Sequence, residues 1–299
     1  MKPTEQEILD RLARARDAYL DRDYNRALMD YLWVAEHIKD DPDNLPIVQI
    51  EIGWSYYYSG KYEKAIEYLS KALESDKLDA QQRFDALRLI GFAYEGLGQT
   101  DKALEYLHKA LAEDVNEHAK KYVYFELGKI LFQQNKIAEA EQYLTKTLGL
   151  FRDEEVDYRL AIAYYLGFAA FLKRDLEAAR KYFYQIIHQA PSDKEKATGY
   201  FGLAHIFFEE KDAPVLFDTC EKILSLNPDF EDKETLAFFT AFAFMYMKMW
   251  PELEQTYRRL QENYPQGRYS NYYPVFEEAL RQHKIPEIKE TSRTKPKKE

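Results

Sequence analysis

The sequence predicts an all-α protein built from stacked helix pairs, and three observations predict it. Eight positions between Gly53 and Ala72 hold small, aromatic or aliphatic residues, and the same pattern returns 38 residues later between Gly91 and Ala110. Within Ala65–Ala72, apolar residues recur at three- and four-residue spacing, which gives a helix one buried stripe. Gly and Pro number only 11 each, and a low content of both suits helices better than turn-rich sheets.

The repeated pattern indicates seven units. The position held by Ala65 has equivalents at residues 27, 65, 103, 140, 179, 216 and 253, so the period stays between 37 and 39 residues. Each unit is predicted to be a helix-turn-helix, and the seven cover about 8–41, 46–79, 84–117, 121–154, 160–193, 197–228 and 234–267. A fixed period of this length is typical of a solenoid, in which each unit packs on its neighbours.

Helix starts can be placed from capping residues. Asp79 and Asn116 are predicted N-caps, and Ser192 with Glu195 predicts a capping box. Pro214 is expected to open the second helix of the sixth unit rather than interrupt it. The period is longer than about 34 residues, and the additional residues lie between units. The first helix of each unit is therefore expected to begin about one turn before the repeated pattern.

The ends of the chain differ from the repeats. Residues 1–7 are predicted to form an N-terminal extension, and 268–284 a C-terminal helix that caps the exposed face of the last unit. Residues 285–299 combine Pro, Lys, Glu, Thr and Ser without periodicity, which predicts a disordered basic tail.

The order of small and aromatic residues resembles the tetratricopeptide repeat (TPR) family over residues 8–267. The resemblance implies a right-handed superhelix whose first helices line a concave groove that binds peptides. It also allows a test for the two-carboxylate clamp that holds chaperone C-termini with Lys, Asn and Arg. The corresponding positions here hold Leu12 and Arg16, then Glu51, then Asp85 and Leu89. The clamp is therefore absent in this register, and a chaperone-tail role is not expected.

On this geometry, the spacing within the first helices assigns twelve residues to the groove. They are aromatic side chains with a few polar anchors: Trp54, Tyr57, Tyr58, Arg88, Phe92, Glu126, Lys129, Phe132, Tyr165, Phe168, Phe171 and Phe242. Ten half-exposed aromatic rings would show about 750–1,250 Å², more than monomers usually expose. Three interpretations remain open: these rings form the core of the superhelix, they bind a peptide, or they mediate self-association.

The leading functional hypothesis is a non-enzymatic scaffold or adaptor that holds a partner segment in the aromatic groove. One alternative is a self-assembling protein whose groove takes its own or a neighbour's C-terminal helix. A second is a peptide-sensing regulator. The net charge is −10, and about −13 without the last 16 residues, which argues against nucleic acid as the main partner. Two explanations of this charge remain open: it keeps the protein soluble, or it favours a partner with basic flanks.

The sequence offers no chemistry for catalysis. The six histidines are scattered, and the motifs HExxH, GxGxxG and GxxxxGK[ST] are missing, so no metal, cofactor or enzymatic activity is expected. The single cysteine, Cys220, lies in an apolar stretch and is predicted to be a core residue. The longest apolar run, Leu160 to Leu172, is too short to cross a bilayer. With no hydrophobic leader visible, a cytoplasmic protein is expected, although a removed signal peptide would leave no trace.

Overall fold

The computed structural model describes residues 3–287, and within them the backbone forms fifteen α-helices, one short 3₁₀ turn and no strand. The chain divides into two compact units, Met1–Leu150 and Phe151–Glu299. Unit 1 contains eight helices: α1 (Glu5–Leu20), α2 (Tyr24–His37), α3 (Leu45–Tyr58), α4 (Tyr62–Leu73), α5 (Ala80–Gly96), α6 (Thr100–Ala112), α7 (Lys121–Gln133) and α8 (Ile137–Leu148).

Unit 2 contains the other helices of the described chain: α9 (Val156–Leu172), α10 (Leu176–Gln189), α11 (Asp193–Glu210), α12 (Ala213–Leu226), α13 (Lys233–Tyr246), α14 (Trp250–Asn263), the 3₁₀ turn Ser270–Tyr272 and α15 (Tyr273–Gln282). Helices pack in consecutive pairs within each unit, as predicted. Of the predicted tail, 285–299, all but the first three residues lie outside the described residues.

Glycine in the first helix of a pair lets the second helix come close. A Cβ atom at Gly53 would stand 2.5 Å from Cγ of Leu69, and at Gly128 it would stand 2.6 Å from Cγ of Leu144. Carbon atoms normally approach no closer than about 3.5 Å, so only a residue without a side chain fits. This contact explains why Gly and Leu recur together, sixteen positions apart, in the repeated pattern.

The turn inside each pair has one conformation in all seven pairs of the described chain. Its last residue is left-handed, with φ between +59° and +70°, at Arg22, Gly60, Gly98, Asn135, Arg174, Lys211 and Lys248. The next residue donates its N–H to the carbonyl five positions back, as from Lys61 to Tyr56 at 2.9 Å. This is the Schellman arrangement that ends helices. Because these turns keep the 37–39-residue period, they confirm the seven-unit count.

Most predicted helix starts are confirmed. Asp79 and Ser192 both form complete capping boxes, with Gln82 and Glu195 respectively. Pro214 lies in the first turn of α12, as expected. The prediction for Asn116 was wrong: its side chain accepts from the N–H of His118 in a turn, and α7 begins five residues after it, at Lys121.

Phenylalanine forms much of the core of unit 2. Phe183 of α10 is fully buried, and two glycines lie close to its ring, Gly167 of α9 and Gly202 of α11. In α13, Phe238 and Phe239 are buried as well. Other parts of the chain cover most of this helix, which explains why its sequence is apolar on nearly all sides. The terminal turn and α15 supply part of that cover, since the Phe238 ring lies 5.0 Å from Tyr272 of the turn and 5.9 Å from Phe276 of α15. Tyr269, just before the turn, stacks on Phe238 at 4.1 Å.

Candidate functional site

The predicted groove residues divide between two surfaces. In unit 1, eight of them lie on the helices that open each pair, α3, α5 and α7, which together with α1 we call the first-helix face of unit 1. In unit 2, Tyr165, Phe168 and Phe171 lie on α9 and Phe242 on α13. Each unit therefore carries its own set of candidates.

A ladder of stacked rings lies on the first-helix face of unit 1. Tyr58 stacks on Tyr24 at 5.4 Å and on Trp54 at 5.8 Å, with both pairs of rings tilted by only 17°. The guanidinium of Arg88 lies 5.0 Å from the Trp54 ring and extends the stack. We call Tyr24, Tyr58, Trp54 and Arg88 the aromatic ladder. Stacking of this kind helps to hold each ring in place.

Tyr58 is the accessible part of the ladder, with 49% of its surface exposed. Tyr19 and Tyr57 contact it edge-on at 6.1 Å and 5.3 Å. Tyr19 and Tyr24 were missed: the twelve candidates lie on the first helices of the second and later pairs, whereas Tyr19 lies on α1 and Tyr24 on α2. The signal that could have found Tyr24 is its location at the start of a second helix, next to the end of α3.

Arg88 is held by several contacts. Its Nε donates to Oδ1 of Asp85 at 2.8 Å, and its guanidinium also lies 5.6 Å from the Phe84 ring. A guanidinium has five N–H donors, so contact with one carboxylate and two rings leaves some of them for a ligand. Arg88 can therefore serve as the polar anchor that its position predicted.

A second polar group joins the first helices of neighbouring pairs. Lys129 of α7 lies 2.6 Å from Glu126 and 3.1 Å from Glu95 of α5. Burial raises the pKa of Glu126 above its ordinary value. Burial, and then nearby Tyr62, Tyr58, Glu126 and Glu95, raise the pKa of Tyr57 to about 12. Since one ammonium serves two carboxylates, this group carries a net negative charge.

The remaining candidates of unit 1 are less exposed. Phe92 is half-buried and packs against buried residues of two adjacent clusters, so it belongs partly to the core. Phe132 is half-buried near the end of α7. Neither forms part of the aromatic ladder.

In unit 2, Phe168 and Phe171 surround a histidine. The His205 ring lies 5.2 Å and 5.9 Å from them, 4.6 Å from Phe201 and 4.9 Å from Phe239. Its Nδ1 lies 2.9 Å from the carbonyl oxygen of Phe201. Burial lowers the pKa of His205, so the imidazole is neutral and donates from Nδ1. Phe168 and Phe171 therefore contribute mainly to the aromatic packing around His205.

Phe242 does not lie on an open surface. Only 3% of it is exposed, and its ring packs 4.4 Å from Phe208 and 4.5 Å from Tyr246. The spacing in α13 placed this residue on the groove side, but neighbouring helices cover that side in the folded chain. Phe242 contributes to the core, as the core interpretation expected.

Tyr165 lines a cleft of unit 2 that has a volume of about 700 Å³. Tyr164 and Phe230 lie beside it, together with the carboxylates of Asp157, Glu231 and Asp232. Asp232 forms an ion pair with Arg268. No residue of α15 lines this cleft, so the described terminal helix does not fill it. Self-association through that helix remains a prediction.

Reactive groups are sparse in the described residues. No group of three or more His, Cys, Asp or Glu side chains within 3–287 could hold a metal ion. Cys220 is buried, and burial raises its pKa to about 12, so it is a neutral thiol at physiological pH. Within the same range, no helix has the length and apolar character needed to cross a membrane.

Sequence and structure comparisons agree with this architecture. A sequence profile described as the SusR N-terminal TPR domain matches residues 12–149, and a tetratricopeptide repeat profile matches residues 125–194. No curated protein matches the chain.

Among solved structures, the apo form of RapI is similar, with a TM-score of 0.67 and 10% identity over 91% of this chain and 81% of its own. The apo form of the quorum sensor NprR from B. thuringiensis has a TM-score of 0.60 and 18% identity over 86% and 76% of the two chains. A tetratricopeptide repeat protein from Parabacteroides merdae has a TM-score of 0.56 and 17% identity over 93% and 99%. At these identities the likeness shows the fold alone.

Consecutive helix pairs with one shared turn define a helical-repeat protein, a class whose stacked units offer extended surfaces for other proteins. The two matching profiles both describe tetratricopeptide repeats and together span residues 12–194, more than half of the chain. The chain belongs to the tetratricopeptide repeat family.

Proposed function

We propose that this protein is a non-enzymatic interaction module, a scaffold or adaptor, that binds a peptide or partner segment on the first-helix face of unit 1. The aromatic ladder carries the proposal. Its rings are large, amphipathic and held by stacking, and they lie beside an arginine. Trp, Tyr and Arg dominate the residues that supply most binding energy at protein interfaces.

The charges on this face support a partner with basic groups. Glu95 and Glu126 share the single ammonium of Lys129. The overall net charge of −10 acts in the same direction, because it attracts basic segments over a distance of about one Debye length. A cytoplasmic location is part of the proposal.

A peptide-sensing role is a second candidate, and the fold it shares with the quorum sensor NprR favours it. At 18% identity that likeness supplies the fold and not the ligand. Both roles require peptide binding by the same module, so one experiment tests the common step.

The experiment selects peptides from a displayed random library on the wild-type protein and measures their affinity by fluorescence anisotropy. Trp54→Ala combined with Tyr58→Ala should weaken binding by about tenfold or more, the effect of losing a binding hot spot. The control is Tyr184→Ala, which removes another exposed tyrosine, from a second helix in unit 2. Failure to enrich any peptide, or equal affinities for all three proteins, would contradict the proposal.

A further inference from the structure

A long cleft lies in unit 1 between α1 and α3, with α2 behind it, and none of the twelve candidate residues lines it. Its volume is about 800 Å³, within the range of ligand sites. Lining residues run from Glu5 to Leu20, the full length of α1. That length corresponds to about 22 Å of helix, enough for about six residues of an extended peptide.

Several aliphatic side chains on the walls of this cleft are exposed to solvent. Leu20, Leu9 and Ile47 are 70%, 51% and 39% exposed, and all three line it. Exposed aliphatic side chains that are scattered singly need no explanation, but several that converge on one concave surface indicate a contact site.

Glu51 adds a charge inside these apolar walls. It lies on α3, is half-buried and lines the cleft. It forms no ion pair among the described residues: Arg16, across the cleft, acts on it only at longer range, and the Tyr31 hydroxyl lies beside it. Burial of a carboxylate without a close cation costs free energy, and correspondingly the pKa of Glu51 is raised, chiefly by burial.

The other charges at the cleft do not supply the missing cation. Asp41 accepts bonds from Asn44 Nδ2 at 2.8 Å and from the N–H groups of Asn44 and Asp43, so its carboxylate is satisfied. Glu5 adds a further negative charge, and Arg16 is the single cationic residue among those that line the cleft. Three carboxylates against one guanidinium make the cleft complementary to a cation.

We propose that this cleft binds a short apolar peptide segment carrying one lysine or arginine, whose cationic group pairs with Glu51. The proposal rests on the proposed function, since it gives the chemistry of one part of the bound segment. Tyr19 connects the two sites: it lines the cleft, and its ring lies 5.7 Å from Tyr24 of the aromatic ladder. A segment bound in the cleft can therefore continue along the ladder.

The test uses fluorescein-labelled, amidated peptides with leucines and one lysine, and a matched set with norleucine in place of lysine. Wild-type protein should bind the best lysine peptide at least about tenfold more tightly than its norleucine partner, the effect of one charge-assisted contact. Glu51→Gln should remove this discrimination. Glu63→Gln, which removes an exposed carboxylate of α4, should keep it.

Two further variants test the geometry. Leu20→Ser should weaken both peptide sets, because it removes part of the apolar wall. Arg16→Gln should strengthen binding of the lysine peptide, because it removes a positive charge that competes for Glu51. Glu51→Gln should unfold at the same or a higher urea concentration than wild type, since the raised pKa shows that the folded state disfavours the carboxylate.

Several outcomes would overturn the inference. If Trp54→Ala with Tyr58→Ala abolishes peptide binding while Glu51→Gln and Leu20→Ser do not affect it, the proposed function stands and the cleft is not part of the site. If wild type sediments as a dimer and Leu20→Ser as a monomer, a second copy occupies the cleft. If deletion of residues 288–299 raises affinity for the lysine peptide, the chain's own tail occupies it. If no peptide of either set binds, both the inference and short-peptide binding fail.

Discussion

The close approach of helices in unit 2 predicts that Gly202→Ala will be strongly destabilising. The added Cβ would overlap the Phe183 ring and would stand 2.5 Å from its Cγ. Carbon atoms in contact are normally separated by about 3.5–4.0 Å, so the ring or α11 must move by about 1 Å. The ring has little room to move, because Gly167 of α9 also lies close to it: a Cβ at Gly167 would stand only 2.6 Å from Cε1 of Phe183.

The magnitude follows from two opposing effects. Overpacking a filled core costs about 1–3 kcal/mol, and the severity of this overlap places Gly202→Ala near the upper end. Alanine in a helix interior gains about 1 kcal/mol over glycine. The net expectation is a loss of about 2 kcal/mol in the free energy of unfolding, measured by urea denaturation followed by circular dichroism.

The matched control is Gly149→Ala, because no atom lies within 4 Å of the Cβ that it adds. Its effect should stay within about 0.5 kcal/mol. Phe183→Leu in the Gly202→Ala background should cost less than the two single changes added together, by about 0.5–3 kcal/mol, because the smaller side chain removes the overlap. Wild-type stability in Gly202→Ala, or strict additivity in the double variant, would refute the proposed packing.

Two other predictions concern backbone strain and charge. Gly98→Ala should lower the free energy of unfolding by about 1 kcal/mol, because φ at this position is +69°, and no nearby atom would clash with the added Cβ. Lys248 is exposed and has a φ of +60°, so Lys248→Gly should raise the free energy of unfolding by up to about 1 kcal/mol. Equal urea midpoints for both variants would exclude strain at these turns. The pKa of Glu126 is raised in the folded state, so its contribution to stability is full below about pH 4.5 and is lost as the pH rises through the folded pKa. Wild type should therefore lose more stability than Glu126→Gln between about pH 4.5 and 7, and parallel pH profiles would show that burial of Glu126 has no cost.

The site could be predicted only in part. Periodicity placed Trp54 and Tyr58 of α3 and Arg88 of α5 on the groove sides of their helices, and the folded chain brings these three into one stack. The same reasoning assigned Phe242 to the groove, where neighbouring helices instead bury it. Spacing along a helix tells which residues share a side, but the cover on that side comes from elements distant in sequence. The register of the repeats did place Arg16 and Glu51 at the positions of one peptide clamp, but the cleft around Glu51 could not be predicted, since its walls come from three helices.

The sequence by itself determined the helix pairs, their number and their contacts, because glycine, alanine and leucine recur at fixed spacing and each pair packs mainly on its neighbours. The shared turn shows how local this control is: five of the seven left-handed positions hold residues other than glycine, so the Schellman hydrogen bonds set the conformation rather than the residue type. Only the tertiary structure decided which aromatic rings remain accessible. Exposure depends on how closely adjacent first helices approach, and that distance results from packing across repeats rather than from the pattern within one.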